Sequence, residues 1–244
     1  HKIENISYPK SQKIYDGEEI PCIHGINLMQ NDNFSLILGK EQDFVENEFN
    51  IIFHKEYGSN IIITGKNKQE KQSIIDIIML NIKNNQFIKN LYYINNDFDI
   101  NFEKVYDINI FENEIKEKSV ILIDSFDTLS ELHPKSNLGF SSFGTESKIL
   151  IADKFKEIVE NGYRKDIYTI IFVDNYKRLS MLNEFFELFN HRMAFSLNSE
   201  EVNSFLKLDY NISTQTVRNN KGVYTNLLTS NTKEFKFFKD IEND

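Results

Sequence analysis

Three apolar runs in this chain each end abruptly in a residue suited to a loop. IIITG (61–65) runs into Gly65, VILID (120–124) into Asp124, and IIFVDN (170–175) into a polar turn. None alternates apolar with polar residues, as a strand with one wet face would. A strand apolar on both sides must be covered on both sides, which is the condition of a parallel sheet between helices. Helical patterns follow where the crossovers should lie. QSIIDIIMLNIKN (72–84) places Ile74, Ile77, Ile78 and Ile82 at helical spacing, and KILIADKFKEIVENG (148–162) places Phe155, Ile158 and Val159 on one face, with Gly162 as its stop. The alternation predicts an α/β fold with a mostly parallel sheet and helices on both faces.

The remaining segments fit around that centre. FSLILGK (34–40), EFNIIFH (48–54), NLYYIN (90–95) and HRMAFSLN (191–198) read as further strands, and GVYTNLLT with EFKFFK as a closing hairpin. SMLNEFFELFN (180–190) reads as an amphipathic helix, and SEEVNSFLK (199–207) opens with a capping signature. SNLGFSSFGTES (136–147) is the most loop-like stretch, and residues 1–33 read as an irregular lead-in packing on one domain that spans 34–244. The lone Cys22 excludes an internal disulfide and any multi-cysteine metal site. The five histidines show no metal-ligand spacing, and no Ser-His-Asp or Cys-His arrangement can be argued. A net charge of −9 argues against strong nucleic-acid binding by the isolated piece. No apolar stretch reaches the roughly 20 residues of a membrane span. The sequence begins at His1 rather than Met, which reads as a piece of something longer or as a tag remnant, and cytoplasmic is the default compartment.

In a parallel sheet, ligands sit beyond the carboxyl ends of the strands, so Gly65 and Asp124 carry the chemistry. A phosphate loop of the form G-x-x-x-x-G-K-[ST] uses glycines to wrap backbone N–H groups around phosphates, lysine to reach their oxygens and a hydroxyl to bind magnesium. The window from Gly65 to Gln72 reads G-K-N-K-Q-E-K-Q. Gly65 and Lys71 fit, with Lys66 beside the glycine and Lys71 expected to open the helix. Glu70 stands at the second glycine and Gln72 at the hydroxyl. A carboxylate is favoured at a helix N-terminus, so Glu70 is expected to fill part of the anion site itself. Asp124 has the form of a magnesium-orienting carboxylate, and Ser125 stands where a catalytic carboxylate commonly follows. These departures argue against ATP hydrolysis; no catalytic residue and no metal ligand is assigned.

Taken in order, SLILGKEQ…NIIFHKEYGSNIIITGK, SVILIDSFDTL, FKEIVENGYRKDIYTIIFVDN, HRMAFSLNSEEVNSFL and KGVYTNLL resemble the ATPase domain of FtsK/SpoIIIE-type translocases, the FtsK–HerA branch of P-loop motors. The resemblance implies a three-layer RecA-like P-loop NTPase fold with a mostly parallel central sheet, and ATP with magnesium as cofactors. In VDN (173–175) the family's Thr-Gln sensor is missing. Large proteins of this family carry several modules in tandem, and the last is commonly degenerate, as in EssC-like type VII secretion ATPases. The resemblance therefore implies a degenerate, non-hydrolysing module that regulates, scaffolds or docks substrate in a larger motor. Its expected partners are other ATPase domains of the same longer chain, with DNA or a secreted protein as substrate. The alternative is an active translocase domain moving DNA or protein. Membrane tethering would come from other parts of the longer chain.

Overall fold

A computed structural model of the chain describes residues 21–23, 28, 32–42, 47–94, 105–134, 146–208 and 220–238. In chain order the elements are β1 Phe34–Glu41, β2 Glu48–Phe53, β3 Ile61–Gly65, α1 Lys68–Asn84, β4 Asn90–Ile94, β5 Val105–Tyr106 and β6 Ser119–Ile123. There follow α2 Glu146–Asn161, β7 Ile167–Val173, α3 Asn183–Phe186, β8 His191–Phe195, α4 Ser199–Leu206, β9 Lys221–Asn226 and β10 Asn231–Phe237. Most of the expected loop at 136–147 and of the lead-in at 1–33 lies outside the described residues, although Ile23 and Leu28 are buried in the core.

Among the described residues, ten strands form one sheet, in the order β2-β1-β10-β9-β8-β3-β7-β6-β4-β5. The run from β8 to β5 is parallel throughout. The run from β2 to β8 is antiparallel throughout. The sheet is therefore mixed, which corrects the expectation of a mostly parallel RecA-like sheet. The difference comes from the closing hairpin. It forms as expected from β9 and β10, but it is not a separate ribbon: β9 pairs with β8 and β10 pairs with β1, joining the early strands to the parallel half. Strand β2, at the far edge, alternates exposed and buried residues, the pattern of a strand with one wet face.

Successive residues of a strand point to opposite faces, and β3 uses both. Ile61 and Ile63 pack with Ile74 and Ile78 of α1 on one side. Ile62 joins Phe155 and Val159 of α2, Phe185 of α3 and Phe205 of α4 on the other. Each such isoleucine, removed from water, contributes about 1.5–3 kcal/mol. Two buried asparagines fix the layers. Asn81 of α1 accepts from the Ile37 N–H (2.9 Å) and donates to the Ile37 carbonyl (3.0 Å) at an irregularity in the β1–β2 pairing, which pins α1 to β1. Asn60, just before β3, donates to the carbonyls of Val159 (2.9 Å) and Leu188 (3.0 Å) and accepts from the Thr169 N–H (2.9 Å). The helix expected over 180–190 is broken: a 3-10 segment, Tyr176–Leu182, precedes the short α3. The Phe186 carbonyl at the end of α3 accepts from the Phe189 N–H (3.2 Å) and from the Arg192 guanidinium (3.2 Å).

Candidate functional site

Strands β3, β7 and β6 lie side by side and parallel, so their carboxyl ends, Gly65, Asp174 and Asp124, reach one edge of the sheet. The chain leaves β3 tightly. The Thr64 hydroxyl donates to the Val173 carbonyl across the strand pair (2.8 Å). Gly65 lies flat on a ring: a Cβ there would stand 2.4 Å from Phe195. Only Lys66 and Asn67 then separate β3 from α1, which starts at Lys68 and not at Lys71. The expected eight-residue phosphate loop is a two-residue turn, and Lys71 sits inside the first turn of the helix.

Asn67 is the reason the helix starts there. It holds extended dihedrals (φ −88°, ψ 111°), and its side-chain oxygen accepts from the backbone N–H groups of Gln69 (3.0 Å) and Glu70 (3.2 Å). Its own carbonyl takes the first helical bond, from Lys71 N–H (2.9 Å). Asparagine is among the best N-cap residues because it satisfies such orphan donors. These are the donors an anion at the helix terminus would need. The expectation that Glu70 fills the anion position is thereby corrected. Glu70 is buried with its carboxylate turned towards the end of β8 and the approach to β9, where it accepts from the Ser196 hydroxyl and from the Asn220 N–H (3.1 Å).

Lys71 is the centre of the cluster. Its ammonium lies 2.9 Å from Asp124 and 2.9 Å from Asp174, and donates to the Ser125 hydroxyl at 3.0 Å. An ammonium has three protons and no acceptor, so all three are engaged. The Lys71 and Asp124 side chains are about nine-tenths buried, whereas Asp174 is 40% exposed. Burial alone would pull the Lys71 pKa down. Hydrogen bonds and charge from Asp124 and Asp174 outweigh that and hold it above the ordinary lysine value. Lys71 therefore stays protonated and is no general base for Ser125. Ser125 adopts a left-handed conformation (φ 53°, ψ 48°) that aims its hydroxyl between Asp124 (3.1 Å) and Asp174 (3.3 Å). Asp127, one turn on, accepts from the Asp174 N–H (2.9 Å) and fixes that strand end. Two carboxylates and a hydroxyl thus surround one ammonium.

The other predicted residues point elsewhere. Gln72 donates to Asp76 (2.9 Å) along the outside of α1, away from the strand ends. Lys66 reaches both carboxylate oxygens of Glu201 on α4 at 2.8 Å, and Lys177 approaches the same group at 3.6 Å. The hydrogen bond from Lys66 is the main reason Glu201 titrates below the usual carboxylate range. The structure thus gathers Lys71, Asp124 and Ser125, and parts them from Lys66, Glu70 and Gln72. Sequence reading missed two members, Asp174 and Asn67. Asp174 carried the same signal as Asp124, a carboxylate ending an apolar run. Asn67 carried the signal of a capping residue.

No protein-family model matches the chain. A curated relative, the type D non-toxic nonhemagglutinin of Clostridium botulinum D phage, is 31% identical over 126 residues, 48% of this chain and 10% of that protein. Among solved structures, the cytoplasmic domain of EssC matches at a TM-score of 0.63 and 9% identity, over 89% of this chain and 46% of that one. ATPases 2 and 3 of Thermomonospora curvata EccC, in complex with a signal sequence peptide, match at 0.60 and 10% identity, over 90% and 43%. The pCW3 conjugation coupling protein TcpA, in monomer form with ATPγS, matches at 0.62 and 13% identity, over 90% and 69%. The chain spans a tenth of the curated relative and less than half of the EssC and EccC chains. At these identities the structural likeness establishes the fold, that of FtsK/SpoIIIE-type P-loop ATPase domains, and it agrees with the resemblance read from the sequence.

Proposed function

We propose that this chain is a degenerate, non-hydrolysing ATPase module that regulates, scaffolds or docks substrate within a longer FtsK/SpoIIIE-type protein. The observation that carries the reading is the engagement of Lys71. A lysine that grips phosphate must present its charge to the ligand. This one has all three protons on Asp124, Asp174 and Ser125. Binding ATP there would mean breaking a mostly buried ion pair, and the carboxylates released would repel the triphosphate. Two neighbouring features support the same reading. The helix-terminal donors are held by Asn67, and no hydroxyl stands at position 72 to take magnesium. The residues of this edge do not fit a magnesium–triphosphate complex.

The proposed partners follow from the proteins of the same fold. EssC and EccC chains carry more than one ATPase, and EccC was solved with a signal sequence peptide. Sister modules are the natural partners of a unit that occupies less than half of such a chain. Among the described residues no helix is long and apolar enough to cross a membrane, and any tether is proposed to belong to other parts of the longer protein.

The test is calorimetric titration with ATP and magnesium, run beside a phosphate-release assay. The expected result is no turnover and no binding at the strand-end cluster. Turnover above background that Lys71→Ala abolishes would overturn the proposal and restore the alternative, an active translocase domain.

A further inference from the structure

On the face of the sheet opposite α1, between α4 and the segment leading into α3, lies a cleft of about 450 Å³. It contains none of the strand-end residues. Its walls include three aromatic rings, Tyr176, Phe186 and Phe205, and three cations, Lys177, Arg192 and Lys207. Among the described residues, the single carboxylate in its lining is Glu187. That is a local excess of positive charge on a chain whose net charge is −9.

Arg192 makes the excess consequential. It projects from β8, and its side chain is only 7% exposed. Two of its N–H groups donate to carbonyls that end helices, Phe205 (3.0 Å) and Phe186 (3.2 Å), which gives it a plain role in stapling α3 and α4 to the sheet. Carbonyls satisfy protons but do not neutralise a charge. Its Nε–H is buried and has no acceptor among the described residues. Glu187, its nearest carboxylate among the described residues, is 3.9 Å away, is 56% exposed, and sits closer to Lys207 (2.5 Å). Burial lowers the Arg192 pKa from its ordinary value, and the pull of Glu187 does not restore it. Lys177 is likewise shared, 3.6 Å from a Glu201 that Lys66 already holds. A buried guanidinium needs a well-placed counter-charge, and one shared, half-exposed carboxylate is a weak one.

We infer that this cleft binds an oxyanion, a carboxylate or a phosphate, carried on a flat apolar body. The oxyanion would lie among Arg192, Lys207 and Lys177, and the body would pack on the half-buried ring of Tyr176, beside the buried rings of Phe186 and Phe205. Ser180 and Asn183, also in the lining, supply neutral donors to the same group. The pattern of an apolar pocket with a few converging polar groups is that of a small-ligand site. The inference does not rest on the proposed function, since it uses none of the same side chains.

The experiment is calorimetric titration of the intact chain with three probes of similar shape: benzoate, phenyl phosphate and neutral benzamide. The expected result is saturable binding of benzoate or phenyl phosphate, with the tighter of the two identifying the anion, and none of benzamide. Lys207→Ala should weaken that binding about tenfold, the worth of one hydrogen bond to a charged group. Lys207 and Lys177 are 48% and 62% exposed, so Lys207→Ala and Lys177→Ala keep the test independent of folding even if Arg192→Gln unfolds the chain. Saturation by neither anion, equal binding of benzamide, or unchanged affinity in both lysine variants would each overturn the inference.

Discussion

Substituting Lys71 by alanine distinguishes a lysine held for structure from one held ready for a ligand. Lys71→Ala takes the cation away from Asp124, whose side chain is 9% exposed, and from Asp174, which is 40% exposed. Removing one partner of a fully buried pair costs about 3–5 kcal/mol. Asp174 can rehydrate and Asp124 lies near the edge of the sheet, which brings the expected loss to roughly 2–3 kcal/mol. For a chain of this length each kcal/mol moves the melting temperature by about 2–4 °C, so a fall of roughly 5–10 °C follows. The double variant Lys71→Ala/Asp124→Asn removes the stranded charge along with its partner. It should recover at least about 1 kcal/mol relative to additivity. The chain has no tryptophan, so urea unfolding followed by far-UV circular dichroism is the suitable assay. Because the folded Lys71 pKa is raised, its contribution is complete below the unfolded value, about 10.5, and declines as pH climbs past that through the folded one. The stability gap between wild type and Lys71→Ala should therefore stay constant from neutrality up to about pH 10 and narrow above it. A Lys71→Ala protein within about 0.5 kcal/mol of wild type, or a strictly additive double variant, would refute the reasoning. Lys71 would then be a loosely held side chain available to phosphate.

Glu70→Ala should cost about 1–3 kcal/mol by leaving the Ser196 hydroxyl and Asn220 N–H without their acceptor, and should speed hydrogen exchange at the Asn220 amide; Glu70→Gln should do much less. Asn67→Ala should cost about 1 kcal/mol in a denaturant titration, while Asn67→Gly costs a few tenths, the pattern of a lost helix cap. His191 is buried beside the Tyr224 hydroxyl (2.6 Å), and burial, with a smaller effect of His54, lowers its pKa to about 4. The unfolded chain then binds the extra proton first. Stability should be full above about pH 6.5, fall by about 1.4 kcal/mol per pH unit towards pH 4, and level off below. His191→Gln should flatten that limb in a series of thermal melts.

The parallel half of the sheet was legible because its strands are apolar on both faces and end where the pattern breaks, at Gly65, Asp124 and Val173. That Gly65 and Asp124 end strands on one side of the sheet was legible; that Lys71 would close on Asp124 was not. Partners that no local pattern encodes were not legible. The Glu70 carboxylate goes to Ser196 and Asn220, contacts of high sequence separation set by where β8 and β9 end, so local helix chemistry pointed it at the wrong donors. The loop length was misjudged for a different reason. The phosphate-loop pattern spans eight residues, 65–72, whereas Asn67, with a strong N-cap preference, starts the helix as soon as it can. The antiparallel half was visible only as fragments, the early strands 34–40 and 48–54 and the closing hairpin. None of them states that β10 will pair with β1 and fuse the two halves.

That fusion has a consequence for the order in which the chain can acquire its shape during synthesis. Gly39 pairs with Phe237, so the β1–β2 segment finds its neighbour only after the strands and helices between them have been synthesised. Strand β3 also waits, since it is flanked by β7 and β8. Contacts of such long sequence separation form late and slowly. Until β10 arrives, an early hairpin rich in phenylalanine and isoleucine presents an uncovered edge, the kind of surface through which nascent chains associate. Fragments cut before residue 231 should therefore be far less soluble than the full chain, and a chaperone that shields residues 34–53 should raise the yield of the complete fold.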